Sequence, residues 1–266
     1  MTGNIDVRQL FTTEELAKTQ EVERAVWNME PIPLHQSFTA IKNGGISLGA
    51  FDGDKMVGYV YGFPGFSNGK VYLCSHMLGI LPEYRGLQIG KMLKIEQANI
   101  ARELGYSLMT WTFDPLESRN AHLNLNKLRA RGAVYSPDHY GELTDDLNQG
   151  LPSDRLIIEW SLNEQPLEPI SSIQKDYVLL DIDANGEPYM TETFQQDTLP
   201  LSNVFFVKIP LNFQDIKQDN FTLAKKWRLM TRKVFVHLFE KGYQATDVIF
   251  TNDRTWGYYA LKQIDL

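Results

Sequence analysis

A single cysteine, Cys74, among 266 residues rules out an internal disulfide framework and fits a reducing, cytoplasmic setting. No apolar run reaches the ~18 residues that a membrane-crossing helix needs. The opening MTGNIDVRQLFTTEEL lacks the basic stretch and apolar core of a secretory leader, so none is expected. Long basic runs are missing as well. With 26 Lys+Arg against 33 Asp+Glu the formal net charge is -7, which argues against nucleic acid as a general partner and leaves room only for a local basic pocket. Neither a G-x-x-x-x-G-K-S/T loop nor a G-x-G-x-x-G fingerprint occurs, which sets aside the two commonest nucleotide-phosphate motifs. His122 and His139 have no cysteine or glutamate at ligand spacing, so no metal set is expected. The chain has no internal repeat and no low-complexity tract.

What is present is an ordinary globular composition, 43% hydrophobic and 22% charged, enough for one large domain or two small ones. Thr12-Thr13-Glu14-Glu15 has the form of a capping box, with Phe11 and Leu16 at the staple positions, and a helix ending at Trp27 should follow. A short helix through Phe38–Ile41 closes at Gly44-Gly45. Asp52-Gly53-Asp54 between two apolar halves signals a hairpin.

Val71 to Ile80 reads as a central strand covered on both faces. A turn with an arginine and two glycines follows. A helix then begins near Ile89, with Leu93, Ile100 and Leu104 at helical spacing and Gly105 after its end. A strand should span Tyr106–Phe113, with Met109, Trp111 and Phe113 on one face. Ser118 can cap a helix that Gly132 ends, and Arg155–Leu162 is a further strand.

The polar stretch NEQPLEPISSIQKD, residues 163–176, is the expected linker. Beyond it come a hairpin turning at Asn185-Gly186, the strand VFFVKIP, and a long helix capped by Asp219 or Asn220 and closed by Gly242. Strands at Thr246–Phe250 and Trp256–Leu261 finish the chain. Both halves mix strands and helices, so the fold class is α/β or α+β.

The chemical centre is Arg85-Gly86-Leu87-Gln88-Ile89-Gly90. A helix mouth offers unpaired backbone N–H groups and a favourable dipole to an anion. Glycine lets the backbone approach a ligand closely, and Arg85 adds a fixed charge suited to phosphate. At ILPEYRGLQIG the sequence resembles the GNAT superfamily of acyl-CoA-dependent N-acyltransferases. The resemblance rests on Ile80, Pro82, Tyr84, Arg85 and Gly90, with Gln88 standing where that family usually has glycine. It extends over roughly residues 5 to 162 in the order of elements. Within the superfamily, SHMLGI, WTFDPLESRNAHLNLNKL, YGEL, LPSDRLIIEW and WRLMTRKVF resemble a bacterial and archaeal branch with a C-terminal extension.

The resemblance implies a GNAT-like mixed central sheet flanked by helices. Residues 1–162 would form the acyltransferase domain and 177–266 an α/β extension that either covers the acceptor or forms a subunit contact in a homodimer. It implies acetyl-CoA as acyl donor and a small amine as acceptor. The N–H groups from Leu87 through Gln88, Ile89 and Gly90 to Lys91, with Arg85 and Gly86, would hold the pyrophosphate. The edges of Leu78 and Ile80 would pair with the pantetheine amides, and Asn120 would contact the cofactor arm.

Three groups are candidates for the proton work: His76 on the central strand, Asp114 at the end of the next, and Tyr140, with Tyr135 as its alternative. LNLNKLRARG has no tyrosine where many of these enzymes keep their general acid. Glu30 is a weaker candidate base, and Cys74 reads as a small buried hydrophobe. Arg228 and Arg232, four apart on one helix face, and Arg155 could hold a substrate carboxylate or brace the fold. A non-catalytic acyl-CoA sensor is the rival reading, and a nucleotide-phosphate binder a third.

Overall fold

The computed structural model describes residues 5–143, 149–196 and 198–264. Two compact units account for them. The first is residues 1–111 with 160–164, and the second is residues 112–159 with 165–266.

The first unit contains β1 (Asp6–Gln9), α1 (Thr13–Trp27), α2 (Leu34–Lys42), β2 (Ile46–Asp52), β3 (Lys55–Ser67), β4 (Lys70–Ile80), α3 (Ile89–Glu103) and the first four residues of β5 (Leu108–Phe113). Its strands lie in chain order, antiparallel from β1 to β4, with β5 parallel to β4.

α1 starts as the capping box demands. Thr12 Oγ1 accepts the Glu15 N–H at 3.2 Å, and Glu15 accepts the N–H groups of Thr12 and Phe11. Leu16 is buried, while Phe11, its expected staple partner, stays largely exposed.

The helices cover opposite faces of this sheet. Tyr59 and Tyr61 of β3 pack with Leu16 and Val22 of α1. On the other face, a Cβ placed on Gly62 would come within 3.0 Å of the Gln97 amide of α3. The side chains that α3 buries are Ile89, Leu93, Lys94, Gln97, Ala98 and Ala101. Ile100 and Leu104 lie outside that stripe, contrary to the spacing argument, and Leu104 is 55% exposed. Ala98 and Ala101 continue the buried stripe that Ile89 and Leu93 begin. The expectation that β4 is covered on both faces is also corrected. Leu73, Ser75 and Gly79 are buried, but Val71 and His76 are exposed.

The second unit contains α4 (Ser118–Ala121), β6 (Arg131–Ser136), β7 (Arg155–Ser161, its last two residues in the first unit), β8 (Val178–Ile182), β9 (Pro188–Met190), α5 (Glu192–Gln195), β10 (Val204–Pro210), α6 (Phe213–Asp219), α7 (Phe221–Glu240), β11 (Tyr243–Phe250) and β12 (Trp256–Gln263). The strand order is β7-β6-β11-β12-β10-β8-β9, antiparallel except for β10 and β8. α7 carries the core with Trp227, Val234, Phe235 and Leu238, and the Phe235 ring packs edge-on against Tyr259 and Tyr135.

Two local expectations fail here. Ser118 caps nothing: Glu117 holds the cap position, and Ser118 Oγ donates to the Leu211 carbonyl. Four α-helical residues pass into a π-helix over His122–Lys127, and Arg129, at φ 57°, turns the chain where Gly132 was expected to. Gly132 itself lies within β6.

Candidate functional site

The turn that leads into α3 is built as its residues suggest. β4 ends at Ile80, and Pro82–Tyr84 makes a single 3-10 turn, held by Tyr84 Oη donating to Asp52 at 3.0 Å. Arg85 is extended, and its Nε donates to the Ile80 carbonyl at 3.3 Å. Gly86 takes φ 88° and Gln88 φ 63°.

Gln88 is the N-cap of α3, yet it makes no side-chain cap bond, and no acidic residue stands in the first turn. The first intrahelical bond into this end is Met92 N–H to Gln88 O at 3.1 Å. The N–H groups of Ile89, Gly90 and Lys91 are therefore the orphan donors of a helix start, and they carry the positive end of the dipole. Leu87 and Gln88 are exposed, so the mouth is open to a ligand. Leu78 and Ile80 pair on one side with Val60 and Gly58 of β3. On the β5 side, the paired residues among those described are Leu73 with Met109 and Cys74 with Thr110.

Opposite Gly62 the β3–β4 register slips, because Tyr61 faces Met77 while Phe63 faces Cys74. The extra residue makes a β-bulge at Ser75-His76, a device that re-aims a side chain. His76 is exposed there, its ring 5.6 Å from that of Phe63. Desolvation on that side lowers its pKa below 6.5, so the neutral imidazole predominates at pH 7. Burial pushes the neighbouring Cys74 thiol up, which keeps it protonated and poorly nucleophilic. Glu30 is exposed in the loop after α1.

Two buried acidic or basic side chains among the described residues of the first unit escaped the sequence reading. Glu23 is 2% exposed, accepts the Ile32 N–H at 2.8 Å, and has its pKa raised by burial. Its position seven residues after Leu16, on the inward stripe of α1, was the available signal. Lys94 is 1% exposed, and its Nζ donates to Ser75 Oγ at 2.7 Å. It lies four residues from Ala98 and seven from Ala101 on the buried stripe of α3.

The other candidates belong to the second unit. Asp114 is ion-paired with Arg228 and accepts the Leu116 N–H at 2.9 Å, while Arg155 Nη1 stands 4.0 Å away. Asp154, wholly buried, binds Arg232 through both carboxylate oxygens, one at 2.9 Å, and accepts the Tyr135 hydroxyl. Burial would raise its pKa, but the hydrogen bonds from Arg232 and Tyr135 outweigh that and lower it. Arg228 and Arg232 are thus braces of a buried network. Tyr135 is part of the same network, and burial raises its pKa well above the tyrosine range, which removes it as an acid at neutral pH.

Tyr140 is different. It is 47% exposed, its hydroxyl lies 2.9 Å from Thr112 Oγ1, and the Arg155 guanidinium stands 5.3 Å from its ring centre. His139 packs edge-on against it. Asn120 is exposed on α4, and His122 is stacked on Phe250.

Residues 7–123 match the sequence model of the Acetyltransferase (GNAT) family. Among curated proteins no relative matches. Among solved structures, Naa50 of Arabidopsis thaliana in complex with a bisubstrate analogue is 14% identical, covers 59% of this chain and 98% of its own, and superposes with a TM-score of 0.48. The yncA protein of Salmonella typhimurium with its cofactor acetyl-CoA is 16% identical, with 63% and 99% covered and a TM-score of 0.48.

Proposed function

We propose that this protein transfers the acetyl group of acetyl-CoA to the amine of a small molecule by direct attack on the thioester, a reading supported by the match of residues 7–123 to the sequence model of the Acetyltransferase (GNAT) family. The observation that carries the reading is the open mouth of α3. Gly86 and Gln88 in left-handed conformations turn the chain so that the orphan N–H groups of Ile89, Gly90 and Lys91 stand uncapped after an arginine.

In this reading those N–H groups, with Leu87, Gln88 and Arg85, hold the pyrophosphate of coenzyme A. The edge of β4 at Leu78 and Ile80, which has no β5 partner among the described residues, pairs with the pantetheine amides. A backbone N–H on β4 polarises the thioester carbonyl. Neutral His76 takes the proton of the attacking amine as the nitrogen–carbon bond forms. The carbon–sulfur bond then breaks, and the leaving thiolate takes its proton from solvent. Asp114, committed to Arg228, serves as a brace. Residues 1–162 make up the acyltransferase domain in this scheme and 177–266 the extension, joined by 163–176.

The test is calorimetric and kinetic. Acetyl-CoA at about a hundred times its Kd stabilises the protein by ~2.7 kcal/mol, visible as a rise in Tm. Gly90→Glu removes that rise by placing bulk and negative charge in the phosphate cradle. Release of free CoA across a panel of small amines separates the transferase from a CoA sensor, which shows the Tm rise without turnover. A Gly90→Glu variant that keeps full affinity would refute the cradle.

A further inference from the structure

Lys94 is the least expected side chain of the first unit. It projects from α3 into the interior, is 1% exposed, and has no acidic partner among the described residues. A lysine of this length normally carries its ammonium to water, and burying the amine unpaired is unfavourable.

Its contacts are few and specific. Nζ donates to Ser75 Oγ at 2.7 Å, and Ser75 in turn donates to Gln97 Oε1 at 2.5 Å. On its other side Nζ lies 3.6 Å from the centre of the Trp111 ring. Burial holds its pKa well below the lysine range, and the amine donates to Ser75 Oγ in either protonation state.

The place matters more than the contacts. The parallel pairing of β4 with β5 comprises Leu73–Met109 and Cys74–Thr110. Ser75 and Trp111 are the next residue on each strand. Lys94 therefore spans the first two positions at which the ladder is no longer made, and the β4 bulge begins at the same point. Beyond it β4 continues to Ile80.

We propose that Lys94 is a positioning residue for the cofactor: by tying Ser75 to the face of Trp111 it stops the β4–β5 ladder at Cys74 and keeps the β4 edge from His76 to Ile80 without a β5 partner, ready to accept the pantetheine arm as an added strand. The inference rests on the reading that this edge takes the pantetheine, and it explains why a buried lysine stands where an apolar residue would pack at less cost.

Isothermal titration of the wild type, Lys94→Met and Ser75→Ala with two ligands tests it. The ligands are acetyl-CoA and 3′-phospho-ADP, the nucleotide half of coenzyme A, which lacks the arm. Lys94→Met keeps the length and apolar stem of the side chain and removes its hydrogen bond. Its affinity for acetyl-CoA should fall about tenfold or more while that for 3′-phospho-ADP stays within about twofold. Its Tm should be equal to or above that of the wild type, because no buried amine remains to desolvate. Ser75→Ala should show the same selective loss, and it carries the test if Lys94→Met does not fold.

Unchanged acetyl-CoA affinity in a folded variant overturns the inference and leaves the proposed activity standing. Equal weakening of both ligands with a lowered Tm marks a merely structural lysine and overturns it as well. A wild type that binds neither ligand overturns the proposed function, and the inference with it.

Discussion

His76 shows how much one register slip decides. Regular alternation would place it with Cys74 on the face opposite Leu73 and Ser75, and the bulge opposite Gly62 falls at this residue, which is exposed beside Phe63. Its pKa is lowered, so the proton that limits a general base is lost before the pH reaches the ordinary histidine value of 6.5. The expected kcat/KM therefore rises with pH, passes its half-point below 6.5 and is flat at neutrality. His76→Ala should lower kcat/KM by roughly 10²–10⁴-fold, remove that limb, and leave the KM for acetyl-CoA nearly unchanged. A pH–rate profile with the same acid limb in the variant would assign the base elsewhere. The same ionisation bears on stability. A histidine with a lowered folded pKa stabilises the fold above its unfolded pKa, and that share is lost as pH falls through the folded value. Acid therefore weakens both the base and the fold that holds it.

At the scale of elements, the entry to α3 carries a visible strain. An L-residue in the left-handed region is disfavoured by roughly 1–2 kcal/mol, and Gln88 takes that conformation at φ 63°. Glycine adopts it freely but loses more entropy on folding, a cost of about 0.5–1 kcal/mol. Gln88→Gly should therefore raise stability in urea unfolding by roughly 0.5–1 kcal/mol. The acetyl-CoA-induced rise in Tm should persist, since the contacts to phosphate come from the backbone. A loss of stability instead would show that the glutamine side chain has a partner of its own.

The turn was legible in the sequence because its signals are local: a strand end, a proline, an arginine, glycines, then helical spacing. The capping box of α1, the two hairpin turns and the Asn220 cap of α7 were legible for the same reason. What stayed hidden depends on distant partners. Periodicity could not tell the stripe of Ile89, Leu93 and Ala101 from that of Ile100 and Leu104, because both obey the helical repeat. Which stripe meets the sheet is settled by the close fit of Gln97 over Gly62. The bulge in β4 and the buried Lys94 and Glu23 likewise follow from tertiary packing, which overrides the local preference of a charged residue for water. The π-turn at His122–Lys127 leaves no recognisable mark in the sequence.

For the molecule as a whole, the second unit is held by a buried polar network, not by apolar contacts alone. Arg228 reaches Asp114, and Arg232 and Tyr135 converge on Asp154. Breaking a buried ion pair from one side leaves the other charge uncompensated. Asp154→Asn should therefore cost ~3–5 kcal/mol in denaturant unfolding at neutral pH. Because the carboxyl pKa of Asp154 is lowered in the folded protein, its contribution is complete above the unfolded value of about 3.8 and is lost as pH falls through the lowered one. The wild type should thus lose stability steeply in acid, and the variant less so, in unfolding curves compared between neutral pH and about pH 3. Equal acid slopes would place the titration on other groups.

β6 pairs with β11, Gly132 opposite Ala245. A ribosome therefore delivers the first of these strands roughly a hundred residues before its mate, and contacts so far apart in sequence are slow to form. Throughout that interval the nascent chain exposes an unmatched row of amides and carbonyls, the kind of edge on which polypeptides adhere to one another. Shortening the chain anywhere before Tyr243 makes that interval permanent. β11 thus covers an edge that β6 would otherwise present.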